Sequence, residues 1–562
     1  MHRRIALFLL TFVLLSPLAA QISLSPYSRY GLGDLYNPTS TRNFSMGSVG
    51  IGAFDGTTVN RINPASYADI RLTTLDINGF GSFSLQESDI NSQNVGTAGF
   101  HNVSFAFSNK RNFGFVAGLA PYSSTGYDVT VSQTLQIDTA SEPYTVNYNS
   151  DGGLNQFYLG AGFRFFRHFY AGANLTLAFG STTYTTTSVF TSTGFNTISI
   201  FNRSQLSGLL PQFGLQYGDT LRLKTNVDRA KATEQDIAEI DKALANLDKE
   251  DQQLDKDNEK LLAWQEKEQV KADALQKEKE SLQSRVAELM KKEDENKKEI
   301  GKLQDKLFRV EKQRKKVVRE IKNRTREISD LRGNIKGRRR KLSVRKEALE
   351  LELAEIRAGK RAATVERRKN FVIRVGGIFE PATSLNGNRL LEFNNSFIAD
   401  TLFNDEGQVN LPTKYGFGFT FGRSNRWVFG ADVSYQDWSN FSYFNDANSL
   451  NGQLNLNVGG EIIPDLISRK YRNRIAYRLG GYYNSTFLTL EGNPIPEYGV
   501  TFGVGLPIGF FNAVGANFSR VNLGLSVGRR GTRAGNLLEE TTIQLRVGVN
   551  LNDVWFIKRV VD

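Results

Sequence analysis

The chain has 562 residues, of which 40% are hydrophobic and 23% charged, and it contains no cysteine. The missing cysteines exclude disulfide frameworks and thiolate metal sites. The formal net charge of +12 is mostly local, because residues 228–368 contain 39 lysines and arginines against 31 acidic residues and so contribute +8.

The first twenty residues have the pattern of a secretory signal peptide. His2, Arg3 and Arg4 precede an apolar run over residues 5–15, and residues 16–20 add the small side chains expected before a cleavage point. We therefore expect residues 1–20 to be a signal that is removed. No later stretch reaches the roughly 18 to 20 consecutive apolar residues that a membrane-spanning helix needs. Any membrane segment should therefore be a strand.

Residues 21–71 are glycine-rich and lack a clear strand pattern. The residues that follow predict a barrel of about fourteen strands, and such a barrel has a lumen too wide for its own side chains to fill. We therefore predict that residues 21–71 form an N-terminal hatch, or plug.

Residues 72–227 and 370–562 contain period-two runs of about ten residues, such as 157–163 and 415–421. One face of each run is apolar or aromatic and the other is small or polar, which is typical of outer-membrane strands. A soluble β-sandwich is the alternative, but its strands usually have about five or six residues. The predicted fold is a membrane all-β protein, an antiparallel outer-membrane β-barrel of about 14 strands. Strands 1–6 belong to the first range and strands 7–14 to the second.

Loop lengths predict which end of the barrel faces the periplasm and which faces the outside of the cell. In such barrels the short turns face the periplasm and the long loops face outward. Short turns are expected at 109–112, 166–168 and 423–426. Four outer loops are expected, over residues 86–98, 132–150, 190–208 and 382–409. By this parity the segment 228–369 replaces a periplasmic turn.

Residues 240–356 keep an unbroken four-three spacing of core positions, contain no proline and are rich in good helix formers. This pattern predicts a coiled coil. A single helix of that length would separate neighbouring strands by about 200 Å, so the helix should fold back as an antiparallel hairpin. A reversal near residue 298 would place Asp251 opposite Arg345 and Asn258 opposite Arg338 as polar core pairs.

The two arms of this predicted hairpin have opposite charge. Residues 228–296 contain 13 basic and 20 acidic side chains, whereas residues 297–368 contain 26 and 11. Opposite charges favour pairing within one chain. The basic surplus over residues 312–319 and 338–341 is either a solvated helix face or a surface for an acidic partner.

Pro121 lies inside the predicted third strand, in a stretch that also contains Ser123 and Gly126. Proline removes a hydrogen-bond donor from the sheet and should open or bulge it. These three residues therefore mark either a lateral gate or a simple strand end.

The sequence gives no support for an enzyme. His101 and His168 are isolated, so their spacing assembles neither a catalytic triad nor a metal site. The Gly-x-Gly patterns lie within strands, unlike those of nucleotide sites. We expect no catalytic residue, metal or cofactor, and no nucleic-acid partner.

Three segments carry motifs. The first is Asn63-Pro64-Ala65, the second runs from Pro412 through Trp427 and Asp432 to Trp438, and the third covers residues 477–483. Together they resemble the long-chain fatty-acid transporter (FadL-like) family of outer-membrane barrels, in its Bacteroidetes type. The first is similar to the signature of the family's hatch, the second to a barrel hairpin and the third to a later strand. The resemblance covers the barrel and excludes residues 228–368. It implies a hatch-plugged barrel with a lateral opening near the third strand.

Two functional hypotheses follow. The resemblance implies outer-membrane transport of hydrophobic small molecules such as long-chain fatty acids. The alternative is a structural scaffold, associated with assembly or secretion, whose periplasmic coiled coil tethers a protein or the cell wall. The expected surroundings are outer-membrane lipid around the barrel and the periplasm around the coiled coil. A through-going apolar pocket would favour transport, and a blocked lumen would favour the scaffold.

Overall fold

The computed structural model describes residues 25–53, 55–108, 112–137, 140–190, 192, 195–290, 293–359, 364–395, 398–444, 446–447, 450–466, 468, 470–508 and 519–553. The predicted signal peptide lies outside these residues. The described part of the chain divides into two compact units, residues 1–222 with 370–562, and residues 223–369.

The first unit is a closed antiparallel barrel of 14 strands, as predicted. Each strand pairs with its neighbours in chain order, and the first strand pairs with the last from Thr73↔Asp553 to Glu87↔Glu539. The strands are β1 (Thr73–Glu87), β2 (Ser92–Ser108), β3 (Phe113–Ser124 and Tyr127–Ile137), β4 (Ala140–Phe165), β5 (Phe169–Phe190), β6 (Ile198–Asp228), β7 (Thr364–Glu380 and Thr383–Asn395), β8 (Ala399–Leu411 and Lys414–Arg423), β9 (Trp427–Asp437), β10 (Gly452–Ile462), β11 (Ala476–Asn484), β12 (Glu497–Pro507), β13 (Arg520–Gly531) and β14 (Glu539–Asp553).

Alternating side chains explain why these segments form a membrane barrel. Outward positions of β4 and β5 are exposed and apolar, for example Phe157, Leu159, Leu175 and Leu177. Inward positions of the same strands include the buried polar residues Gln156 and Asn174. A closed sheet has no free edge, and an apolar outer face with a polar inner face is the arrangement that spans an outer membrane.

The expected outer loops are mostly strand. Paired residues extend to Ile137↔Ala140 between β3 and β4, to Ser188↔Ile198 between β5 and β6, and to Asn394↔Ala399 between β7 and β8. The prediction of loops over 132–150, 190–208 and 382–409 is therefore wrong. These ranges are rich in Ser, Thr and Asn, and hydrogen-bonded hairpins do not need an apolar face where both faces are wet.

The second unit contains two long helices, α1 (Arg229–Leu289) and α2 (Glu293–Arg357). Leu247, Leu254 and Ile335 form its buried cluster, with Ile328 and Leu342 packed against them. The helical insertion between β6 and β7 is therefore present as predicted. Within the described residues, neither helix is long and apolar enough to cross a membrane.

Candidate functional site

Residues 25–53 and 55–71, which we call the inner segment, lie inside the barrel. They contain a short strand, Asp34–Leu35, a helical turn, Thr41–Phe44, and a 3-10 helix, Pro64–Asp69. Hydrogen bonds connect the inner segment to inward side chains of β1, β6, β7, β9, β12 and β14. Because these strands lie on opposite sides of the wall, the inner segment occupies the lumen between them.

Asn63 ties the inner segment to two strands. Its carboxamide oxygen caps the 3-10 helix by accepting a hydrogen bond from the backbone N–H of Ala65 at 3.0 Å. Its Nδ2 donates to the carbonyl oxygen of Ile51 at 2.8 Å, and is 3.2 Å from that of Leu215 on β6 and 3.4 Å from that of Gly377 on β7. Asn63 is fully buried, and Pro64 begins the helix without needing a donor. Asparagine suits this position because it can accept and donate at once.

A buried ion-pair network holds the helical turn of the inner segment. Arg42 Nη2 lies 3.0 Å from Glu461 Oε1 of β10, and Arg478 Nε of β11 donates to Glu461 Oε2 at 2.7 Å. Arg42 Nε also lies 3.2 Å from Asp55 Oδ2. Burial alone would raise the pKa of Asp55. The Arg42 guanidinium acts in the opposite direction, and the net shift of the pKa is downward. Breaking such a buried pair is costly because it leaves a charge without a partner.

Asp432, in the second motif, binds the backbone of the inner segment. Its Oδ2 accepts hydrogen bonds from the N–H groups of Gly50 at 2.6 Å and Ile51 at 2.8 Å. Asp432 is a buried, inward residue of β9. The structure therefore joins the first and second motifs through a contact between the inner segment and the barrel wall.

Inward glycines let the wall approach the inner segment closely. A Cβ atom added at Gly162 of β4 would lie 2.6 Å from the carbonyl oxygen of Pro64, and one at Gly376 of β7 would lie 2.9 Å from the carbonyl carbon of Ile51. Side chains at these positions would therefore collide with backbone. The inner segment fits because the wall is bare there.

The remaining space in the lumen is a cavity of about 470 Å³. Its lining is rich in amide, hydroxyl and charged groups. These polar residues include Gln86, Gln212, Gln436, Gln453, Asn455, Asn457, Asn484, Ser82, Thr97, Ser526, Thr542, Glu497, Arg530 and Glu540. Apolar side chains such as Phe44, Phe80 and Ile378 also line the cavity, so its lining is mixed.

An apolar cluster lies at the barrel end opposite the short turns 166–168 and 424–426. Tyr27 and Leu32 of the inner segment meet Trp438 and Phe487 from two loops, together with wall residues such as Leu385. Trp438, of the second motif, is almost fully buried, and its ring centroid is 4.6 Å from that of Phe487. Its Nε1 donates to Gln453 Oε1 at 3.0 Å. This cluster packs one end of the inner segment against the wall and loops.

Pro121, Ser123 and Gly126 lie at a discontinuity between β2 and β3, which we call the seam. Pairing of these two strands extends only from Val103↔Leu119 to Ser108↔Gly114. In the described part of the chain, residues 92–102 pair with β1 alone, and residues 120–137 have no pairing with β2. A β-bulge lies between Pro121 and Ser123, as the missing proline donor predicts.

The inner segment contacts β3 at the seam, over residues 122–126. The strand Asp34–Leu35 pairs with Ser124 and Ser123 of β3. The Tyr36 N–H donates to the Tyr122 carbonyl at 3.0 Å, and the Gly126 N–H donates to Ser28 Oγ at 3.1 Å. The predicted gate residues are thus brought together with the inner segment.

Pro412 and Trp427, the other two residues of the second motif, contact other residues of the barrel wall. Pro412 lies at the break between the two parts of β8, and its carbonyl accepts a hydrogen bond from Gln436 Nε2 at 2.9 Å. Trp427 begins β9 and packs edge-on against Phe421, with ring centroids 5.5 Å apart. Aromatic residues at this level are typical of an interfacial girdle.

The coiled coil has a different register from the predicted one. Asp251 lies 3.3 Å from Arg339 and not opposite Arg345. Gln265 donates a hydrogen bond to Thr325. In the alignment that these two contacts define, Asn258 does not lie opposite Arg338. The first helix ends at Leu289 and the second begins at Glu293, ahead of residue 298, where the reversal was expected. An earlier reversal moves every pair by about one heptad, and heptad spacing alone permits either register.

A ladder of ion pairs fixes the observed register. Arg332 Nη2 lies 2.5 Å from Asp255, Arg339 Nη2 lies 2.6 Å from Asp248, and Lys346 Nζ lies 2.6 Å from Asp241. From one ion pair to the next, the basic residue lies seven positions later in the sequence and the acidic residue seven positions earlier, as antiparallel helices require. Each exposed pair contributes little stability, but together they favour one alignment of the arms.

Sequence reasoning did not find Arg42, Glu461 or Arg478 as site residues. Glu461 and Arg478 do carry a signal, because each is a charged residue at the inward phase of a strand. Charge on the inner face of a plugged barrel needs a partner from another element. Within the described residues, no group of three possible metal ligands is present.

Comparison with known proteins gives one family and several solved structures. A model of the BamG family matches residues 1–285 and 310–562. No curated protein matches the chain.

Three of the similar solved structures are low-identity barrels. The toluene transporter TodX of P. putida is 12% identical, with a TM-score of 0.45, covering 92% of this chain and 99% of that one. The Ralstonia pickettii toluene transporter TbuX is 11% identical, with a TM-score of 0.41, covering 92% and 98%. A Pseudomonas aeruginosa FadL homologue is 9% identical, with a TM-score of 0.43, covering 92% and 99%.

Proposed function

We propose that this chain, which belongs to the BamG family, is an outer-membrane scaffold. In this proposal the barrel anchors the protein in the membrane, and the coiled coil extends into the periplasm, where it binds a protein or cell-wall partner. The role of the inner segment is to close the lumen and to stiffen the anchor.

The observation that carries this proposal is the filled lumen. The inner segment is held by Asn63, by the Arg42–Glu461 pair and by Asp432, on several sides of the wall. The cavity that remains has many polar and charged side chains in its lining, together with apolar ones such as Phe44, Phe80 and Ile378. Rearranging this plug would break buried hydrogen bonds and ion pairs together.

The coiled coil supplies the second half of the argument. Two helices of 61 and 65 residues would each be about 90 to 100 Å long. Their charge is unbalanced, with the second arm strongly basic. A long, charged arm gives reach and an electrostatic surface, which are properties that a tether needs and a channel does not.

The test is uptake of a labelled long-chain fatty acid by cells that contain the full chain, with empty cells as the control. The scaffold proposal expects uptake equal to that of the control, because the lumen is closed. Cells in which uptake rises severalfold above the control would contradict the scaffold and favour transport.

Transport of hydrophobic small molecules is the second candidate, and the seam is the observation that favours it. Beside Pro121, β2 and β3 are not paired with each other in the described residues. This gap in the wall offers a sideways route from the lumen to lipid. On this candidate, the short strand Asp34–Leu35 would be the part that moves.

A cysteine pair tests the second candidate, and the chain has no native cysteine to interfere. Leu35 and Ser123 are antiparallel partners, so Leu35→Cys with Ser123→Cys should form a disulfide that locks the seam. Transport through the seam predicts uptake that stops on oxidation and returns on reduction. Uptake that persists with the disulfide formed would rule out this route.

A further inference from the structure

The outer face of strands β8 to β14 has an apolar depression of about 960 Å³, which we call the wall groove. Its floor includes Val458 of β10, Val500 of β12 and Val527 of β13, which are 45%, 48% and 38% exposed. The lining of this depression is mostly apolar, so it is suited to contact with hydrocarbon chains.

On the inner side of these strands, glycines let the wall lie close to the inner segment. A Cβ atom at Gly480 of β11 would lie 2.8 Å from the Cα of Gly47, and one at Gly524 of β13 would lie 2.6 Å from Ser45 Oγ. At Gly459 of β10 it would lie 2.5 Å from the carbonyl carbon of Met46. Without side chains of their own at these positions, β10 and β11 lie directly against the backbone of the inner segment, and β13 lies against the Ser45 side chain.

A row of hydrogen-bonding side chains borders the groove on one level. Strand register places Tyr483 beside Tyr498, Tyr498 beside Arg529, and Arg529 beside Thr541. All four residues line the groove. The Arg529 side chain is 48% exposed and lies 3.4 Å from Glu539, which leaves further guanidinium donors for a ligand.

This row of side chains lies at the edge of the apolar band, the belt of outward apolar residues around the barrel. Outward positions of β13 run through Val521, Leu523, Leu525 and Val527 before Arg529. The polar headgroups of a membrane lie at this boundary, and its acyl chains lie beside the valines. One molecule with a phosphate and several acyl chains would satisfy both parts of the groove.

From this arrangement we infer that the wall groove binds lipid A. Arg529 and the two tyrosines would bind a phosphate, because arginine recognises phosphate through several charge-assisted hydrogen bonds. Val458, Val500 and Val527 would contact the acyl chains. The choice of lipid A rests on the proposed orientation, in which the row faces the outer leaflet, opposite the short turns.

The experiment uses the full chain reconstituted in lipid discs that contain either lipid A or phosphatidylglycerol in a phosphatidylcholine background. After detergent extraction, lipid retained per protein is measured by mass spectrometry. The groove is filled by Val458→Trp with Val500→Trp. The control fills the opposite wall by Leu177→Trp with Leu209→Trp, two exposed apolar residues that are cross-strand partners. Heat-modifiable gel mobility checks that each variant folds.

The inference predicts that lipid A is retained by the unaltered chain and by the control, and is lost from the groove-filled variant. Arg529→Gln should lower retention about tenfold, which corresponds to one lost charge-assisted hydrogen bond. Equal retention in all folded variants would overturn the site. Preferential retention of phosphatidylglycerol would overturn the assignment to lipid A. None of these outcomes depends on fatty-acid uptake, so this inference and the scaffold proposal can fail separately.

Discussion

At the scale of single residues, Asn63 shows how one side chain links several parts of the fold. It caps a 3-10 helix and donates toward Ile51, Leu215 and Gly377 from a fully buried position. The Asn-Pro-Ala motif made Asn63 a candidate from sequence alone. The motif could not name the wall partners, because Leu215 and Gly377 lie on strands more than 150 residues away along the chain.

Asn63→Ala should destabilise the protein, since it removes the cap and the hydrogen bonds that Asn63 Nδ2 donates to backbone carbonyls of the inner segment and the wall. We expect a loss of about 2–4 kcal/mol, seen as a lower temperature for the heat-modifiable transition. Asn91→Ala, at the exposed turn between β1 and β2, is the matched control and should change little. If both variants unfold at the temperature of the unaltered chain, Asn63 does not hold the inner segment.

The Asp55 carboxylate provides a pH-dependent contribution. Because the pKa of Asp55 is lowered in the folded protein, its ionised form stabilises folding above the unfolded pKa of about 4. That contribution is lost as the pH falls through the folded pKa. Asp55→Asn should therefore lower the unfolding temperature at pH 7, and the difference from the unaltered chain should shrink in acid. A difference that stays constant, or grows as the pH falls, would contradict the Arg42–Asp55 pair.

The Arg42–Glu461–Arg478 network shows the limit of residue-scale prediction. Each charge is visible in the sequence, and each would be unfavourable inside a barrel alone. Their pairing depends on where the helical turn Thr41–Phe44 rests in the lumen. That position is set by tertiary packing and leaves no local pattern.

At the scale of elements, the strands were predictable because alternation of apolar and polar residues is a local property. The fourteen strands follow from this alternation, and the long helical insertion follows from heptad spacing, which is also local. The lengths of the hairpins were not predictable in this way. Beyond the membrane the apolar face disappears, while the hydrogen-bonded ladder of β5 and β6 continues to Ser188↔Ile198.

The register of the coiled coil is also ambiguous in sequence. Heptad spacing is satisfied again after every shift of seven residues, so core periodicity does not choose among alignments. The choice depends on where the chain reverses and on the ladder formed by Asp241, Asp248 and Asp255 with basic residues of α2.

Engineered cysteines test this register. Leu254 and Ile335 belong to one buried cluster, so Leu254→Cys with Ile335→Cys should form a disulfide readily. The register with a reversal near 298 would instead favour Leu261→Cys with Ile335→Cys. Non-reducing gel mobility of both variants after mild oxidation distinguishes the two. Faster crosslinking of the second pair would show that the observed register is wrong.

At the scale of the whole molecule, the filled lumen and the long arm point to the same role. Under the proposed function, the barrel with its inner segment in the lumen is the anchor, and the insertion between β6 and β7 is the part that reaches the partner. The sequence could predict that a plug and an arm exist. It could not predict which residues line the residual cavity, because they come from many elements that meet only in the folded barrel.

The most direct test of this account separates the arm from the lumen in cells that lack the native chain. One variant replaces residues 228–368 with a short turn, and the other fills the cavity by Ser82→Trp with Thr97→Trp, whose native hydroxyls lie 2.6 Å apart. Barrel assembly is checked by heat-modifiable mobility, and growth with outer-membrane integrity is measured. The account predicts that the cavity-filled variant restores both and the armless barrel restores neither. The reverse result, with the armless barrel active and the filled barrel inactive, would contradict it.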